Sequence, residues 1–130
     1  GVLTPSPIAY REVRICGILR ESWYACRQSV CPYTFIDLID HPDFPNRSQI
    51  LFAIGQFTAR LRQQGVWHRD YSAGNILFNA DGSHLEVIDL NRIRWRKHVP
   101  GDPFARLRRI EPEGIQIMEE GYASLSGHSK

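Results

Sequence analysis

The stretch Val66–Arg92, VWHRDYSAGNILFNADGSHLEVIDLNR, decides how the whole chain is read. It sets Asp70 and Asn75 five residues apart and then delays a second carboxylate, Asp89, by the length of a hairpin. Two apolar runs, Ile76-Leu77-Phe78 and Leu85 to Leu90, flank Asp81-Gly82, a dipeptide that favours tight reversal between strands. Asp81 is therefore expected to serve the turn. A hairpin returns the chain to the level it left, so Asp89 is expected close to Asn75. Three oxygen-bearing side chains in that order either hold a metal-bound nucleotide or serve as ordinary turn residues.

Working outward, the residues before Gly65 change period. Ile50, Leu51, Ile54, Phe57 and Leu61 recur at three-to-four-residue spacing, while Gln49, Gln56, Arg60 and Gln63 fall elsewhere. This predicts an amphipathic helix over Arg47 to Gln64, about 27 Å long. Asn46 or Ser48 can cap its start, and Gly65 suits the left-handed residue at its end. Further upstream, SVCPYTFIDLIDHPDFPN is divided by Pro32, Pro42 and Pro45 into a connector with at most a brief helix. Before it, the β-branched and aromatic residues between Ala9 and Gln28 predict two antiparallel strands around a turn at Gly17.

Downstream, Arg92, Arg94, Arg96 and Lys97 form one basic run, and Arg106, Arg108 and Arg109 form a second in a predicted helix, Pro103 to Ile110. Each is either a solvated face or a surface for an anionic partner. The Gly- and Ser-containing residues from Glu119 to Lys130 are expected to form a flexible tail.

Composition sets the outer limits. A chain of 130 residues, 42% hydrophobic and without low-complexity tracts, can bury one modest core. A net charge of +2 gives no argument for nucleic-acid binding, and none is expected. Cys16, Cys26 and Cys31 lack zinc-ligand spacing, and no membrane-length apolar run is present, so the expected setting is the cytoplasm.

Phosphoryl transfer asks little covalent chemistry of a protein. It asks for metal ions held by hard oxygens against the phosphates and for a carboxylate at the attacking hydroxyl. Asn75 and Asp89 supply a partial magnesium shell, which leaves Asp70 as base or orienting group. His68 is read as structural, and Arg69 either meets a loop anion or pairs with a nearby carboxylate.

The run HRDYSAGN resembles the catalytic loop H-R-D-x-x-x-x-N of the protein-kinase-like superfamily, and IDLN stands in the place of its metal-binding D-F-G. The departures narrow the resemblance. Ser72 stands where eukaryotic serine/threonine kinases usually carry Lys, Leu90-Asn91 replaces Phe-Gly, and no A-P-E follows. The combination H-R-D-x-S-x-G-N-I-L-F with I-D-L-N-R is similar to the bacterial lipopolysaccharide core (Kdo/heptose) kinases, although Asn91 stands where Asp is expected in that family.

That resemblance implies an α+β, protein-kinase-like fold, of which the chain would represent mainly the large lobe. Residues 1–30 would be the end of the small lobe and the hinge, residues 31–118 the large lobe, and residues 119–130 the tail. The backbone of Arg27, Gln28, Ser29 and Val30 would face the adenine of ATP, Asp70 would be catalytic, and Asn75 and Asp89 would hold Mg2+. The acceptor would be a sugar hydroxyl of lipopolysaccharide core, met at the cytoplasmic side of the inner membrane, with possible peripheral contact to anionic lipid. No Gly-rich loop or phosphate-gripping Lys precedes Tyr10, so a truncated kinase is expected. An aminoglycoside- or choline-kinase-type phosphotransferase and a non-catalytic pseudokinase remain as alternatives, the first disfavoured by Arg69, where that type usually has Gly.

Overall fold

The computed structural model describes residues 7–15, 18–26 and 31–127, with the side chains of residues 31–127 other than Leu90. Strands β1 (Pro7–Ile15) and β2 (Ile18–Cys26) pair antiparallel, with Ala9 opposite Ala25 and Ile15 opposite Ile18. The turn expected at Gly17 lies outside the described residues.

From residue 31 onward the chain follows the period changes of its sequence. A two-residue strand β3 (Tyr33–Thr34) runs straight into a one-and-a-half-turn helix α1 (Phe35–Asp40), the brief helix that the prolines allow. The Asp37 carboxylate accepts the Thr34 N–H at 2.8 Å, satisfying a donor at the helix start. Tyr33, Phe44 and Phe78 meet as three rings with centroids 5.1 to 5.7 Å apart, which pins this connector to the later hairpin.

The helix α2 (Arg47–Gln63) is the centre of the core. All five residues of its predicted apolar stripe, Ile50, Leu51, Ile54, Phe57 and Leu61, are buried. Asn46 occupies the capping position, but in a left-handed conformation (φ 60°), and its side chain makes no capping bond. At the other end Gly65, at φ 75°, donates its N–H to the Arg62 carbonyl and turns the chain into β4 (Val66–His68).

A three-residue 3-10 turn, Ala73–Asn75, leads from the loop after β4 into β5 (Ile76–Phe78). Strand β6 (Leu85–Val87) pairs back with Ile76 opposite Val87, and β3 joins on the other edge of β5. Gly82 takes the positive φ of 72° that the Asp81-Gly82 reversal requires. The Cys31 thiol donates to the His84 carbonyl at 3.6 Å, fixing the chain before β3 to the turn end of the hairpin. Strand β7 (Ile93–Trp95) pairs with β4, His68 opposite Ile93. The helices α3 (Ala105–Ile110) and α4 (Ile115–Ser126) complete an α+β arrangement. Among the described residues no helix is long and apolar enough to cross a membrane.

The expectation of a flexible tail from Glu119 is corrected by α4, which lies along α2 as far as Ser126. The small and polar residues that read as flexibility are contact residues. Gly121 lies against the Phe52 carbonyl, and Gly55 of α2 lies against the Met118 carbonyl. Gln56 Nε2 donates to Ser124 Oγ at 3.3 Å, and Gln63 Nε2 to the Leu125 carbonyl at 3.2 Å. Two glycines facing opposite backbones bring the helices closer than larger side chains allow.

In an open helix, Gly→Ala is stabilising by about 1 kcal/mol. Here a Cβ at residue 121 would fall on the Phe52 backbone. Gly121→Ala is therefore expected to destabilise the fold by about 1–3 kcal/mol, read from the urea midpoint; a rise in stability would contradict the close approach.

Candidate active site

The loop after β4 is held from two sides. Asp70 donates its backbone N–H to Nδ1 of His68 at 3.1 Å, while Nε2 of His68 lies 2.7 Å from the Ile88 carbonyl. Since Nδ1 accepts and a carbonyl can only accept, the imidazole is the Nε2–H tautomer. One buried ring thereby joins the loop that carries Asp70 to the end of the strand that delivers Asp89. On the other side Tyr71 is fully inserted, its hydroxyl 2.7 Å from Thr58 Oγ1. Thr58 spends its single proton on the Ile54 carbonyl at 2.7 Å, so the phenol is the donor. Burial pushes the Tyr71 phenol well above its ordinary value, only partly opposed by the Thr58 bond, so it stays protonated and keeps the loop on α2.

Within the loop, Asp70 and Asn75 are in direct contact. Asn75 Nδ2 donates to the Asp70 carbonyl at 2.9 Å and approaches Asp70 Oδ2 at 3.4 Å. These bonds orient the amide and leave its Oδ1 without a hydrogen bond among the described residues. The hairpin returns as its sequence predicts: the Ile88 N–H donates to the Asn75 carbonyl at 3.0 Å, which sets Asp89 one residue beyond a bond to Asn75. Asp89 is exposed and sits at φ 65°, a conformation that a non-glycine residue adopts at some cost and that recurs at functional sites. Its carboxylate has no hydrogen bond or ion pair among the described residues.

An unengaged amide oxygen and an unengaged carboxylate, both hard donors on adjoining chain segments, fit a magnesium ion that completes its shell with phosphate and water. The expected adenine-facing residues, Arg27, Gln28, Ser29 and Val30, lie outside the described residues.

The partner of Asp70 is one that local sequence does not indicate. Arg106 Nη1 contacts Asp70 Oδ1 at 2.7 Å, across 36 residues of chain. Arg106 was legible only as a member of a basic run. Arg69, the cation next in sequence, donates its backbone N–H to the Arg92 carbonyl, and its guanidinium has no partner among the described residues. Arg106 reaches Asp70 because Asp102 sets the start of α3: its Oδ1 accepts the Phe104 N–H at 3.0 Å, and its Oδ2 accepts from Arg108 Nε at 3.2 Å. Arg108 in turn donates to Glu119 of α4 at 2.6 Å. A cavity of about 180 Å³ opens between α2, β4 and α3, with Arg62, Trp67, Arg69 and Arg106 in its wall.

The sequence of this region is matched by a family model. The Lipopolysaccharide kinase (Kdo/WaaP) family matches residues 34–125, which run from β3 through α4 and include the whole loop and hairpin, and the chain belongs to that family. Among individual proteins, it is similar to the 3-deoxy-D-manno-octulosonic acid kinases of Xanthomonas oryzae pv. oryzae (strain PXO99A) and Xanthomonas euvesicatoria pv. vesicatoria (strain 85-10). Each is 39% identical over 67 residues, covering 46% of this chain and 26% of the relative. The chain thus spans about a quarter of the length of the curated relatives it matches. No solved structure matches it.

The Asp102 contacts carry a pH dependence. Partial burial disfavours its ionisation, but the Phe104 N–H and the Arg108 guanidinium together outweigh that, and the carboxyl is held below its ordinary 3.8. A group depressed in the folded state adds stability above its unfolded value and loses it as the pH falls through the folded one. The melting-temperature gap between wild type and Asp102→Asn is expected to be widest near neutrality and to close as the pH drops below 3.8. A gap independent of pH would remove the carboxylate from this role.

Proposed function

We propose that the protein transfers the γ-phosphate of ATP to a hydroxyl of a lipopolysaccharide inner-core sugar, Kdo or heptose, on a protein-kinase-like fold. The observation that carries this reading is the junction of Asp70, Asn75 and Asp89. Asp70 and Asn75 are bonded to one another in one loop, and the hairpin returns Asp89 next to Asn75. The names of the Xanthomonas relatives support a sugar acid as the acceptor.

In this mechanism Asp70 accepts a hydrogen bond from the attacking hydroxyl and aligns it with the phosphorus. Phosphoryl transfer proceeds largely by positioning and by neutralising charge on the transferring group, so Asp70 acts by orienting the hydroxyl and forms no covalent bond. Asn75 Oδ1 and the Asp89 carboxylate would hold magnesium, which would supply positive charge to offset that of the phosphate oxygens. The resemblance to kinases assigns adenine to Arg27, Gln28, Ser29 and Val30. The exposed Arg92, Arg94, Arg96 and Lys97 face the acidic glycolipid and its anionic leaflet.

In the intact protein, Asp70→Asn is expected to lower the transfer of labelled phosphate to core oligosaccharide by about 10²–10⁴-fold while magnesium-dependent ATP binding persists. Asp89→Ala is expected to remove the magnesium dependence of nucleotide binding and, because Ala tolerates the φ of 65° less well than Asp, to lower stability by about 1 kcal/mol. A loss of Asp70→Asn activity that merely tracks a lower melting temperature would assign that carboxylate to the fold instead.

A further inference from the structure

Asp70 is engaged on both carboxylate oxygens: Oδ2 faces the Asn75 amide, and Oδ1 holds Arg106. Arg106 therefore covers the oxygen that a substrate hydroxyl would approach. Arg106 stands on α3 with its side chain 60% exposed, against 32% for Asp70, so it can swing without disturbing the core. It also lines the cavity of about 180 Å³ beside the loop. A second cation, Arg69, lines that cavity with no partner among the described residues, whereas Arg62 is committed to the Pro100 and Gly101 carbonyls at 3.1 and 2.5 Å. Trp67 and Tyr71 supply apolar wall. The cavity is smaller than the roughly 300–1,000 Å³ of pockets that enclose whole drug-sized ligands. It suits one charged sugar unit rather than an oligosaccharide.

We propose that this cavity is the acceptor subsite and takes the carboxylate of a sugar acid, with Arg106 exchanging Asp70 for the acceptor's carboxylate and Arg69 as the second cation. The proposal rests on the kinase reading above and adds to it the group that is recognised. An arginine meets a carboxylate bidentately, with a directionality that a lysine lacks. Leaving Asp70 for the acceptor costs Arg106 one ion pair and returns another. The same movement frees Oδ1 for the hydroxyl. An anionic acceptor would thus complete the site that phosphorylates it, and a neutral sugar would meet Asp70 still covered.

The test uses the intact protein, with Kdo as its α-glycoside and the same glycoside with its carboxylate converted to the carboxamide. Binding is measured by calorimetric titration and phosphate transfer separately. Wild type is expected to bind the acid more tightly than the amide. Arg106→Gln is expected to weaken binding of the acid by about 10- to 100-fold, the worth of a hydrogen-bonded charge partner, and to change binding of the amide by far less. Arg106→Lys is expected to fall between the two. Equal binding of acid and amide by wild type, or an equal loss of both in Arg106→Gln, would overturn the subsite and make Arg106 a support for Asp70. Arg106-dependent binding of the acid without phosphate transfer would uphold the subsite and overturn the kinase reading alone.

Discussion

The bond between the His68 imidazole and the Ile88 carbonyl ties together the two chain segments that carry the candidate site. Asp70 hangs from the other nitrogen of the same ring, and Asp89 follows directly on Ile88. Both segments are loops, which elsewhere would move independently, and a single buried side chain makes them one unit. The strand pairing of β4 with β7 adds to this, because His68 lies opposite Ile93 and so draws the chain after Asp89 back across the loop. The Asn75 backbone bond to Ile88 then removes what freedom is left. The geometry at Asp70, Asn75 and Asp89 thus rests on this buried ring and its tautomer together with the direct bonds between Asp70 and Asn75.

How far the fold could be read from the sequence follows from the range of the interactions involved. The α2 stripe, the Gly65 terminus and the Asp81-Gly82 reversal depend on neighbours within a few residues, and each appears where the pattern puts it. The convergence of Asn75 and Asp89 was readable for the same reason, since a hairpin is a local structure. Arg106 was not. Its bond to Asp70 follows from where α3 docks, and nothing in the run of arginines distinguishes it from Arg108, which pairs with Asp102 and Glu119. The α4 helix was misread through its composition. Glycine and serine suggest looseness when counted, yet Gly121 and Ser124 are where α4 meets α2, because only small residues permit that approach.

The two helices also explain why α2 carries buried residues beyond the stripe that its periodicity predicts. Gly55, Thr58 and Ala59 are buried as well. Thr58 faces the loop through Tyr71, and Gly55 faces α4. A helix covered on two sides has no broad polar face, and Gln56 and Gln63 bond to the neighbouring helix. The Asp70-loop side of the core and its far side are thus joined through one element, and α3, tied to α4 by Arg108 and by the Phe104 and Tyr122 rings 5.9 Å apart, brings Arg106 into the same connected body.

The glycine contact between α2 and α4 has a consequence for the order of assembly. The bond from Gln56 to Ser124 closes 68 residues of chain, one of the longest spans in the molecule. Closure over such a distance is entropically costly before it is rewarded, which places it late among folding events. During synthesis at about 5–20 residues per second, α2 would wait roughly 3–14 s for its partner to be made. Through that interval the groove around Gly55 stays open to solvent, and a nascent chain that has already formed its loop and hairpin still presents one uncovered side to chaperones and proteases.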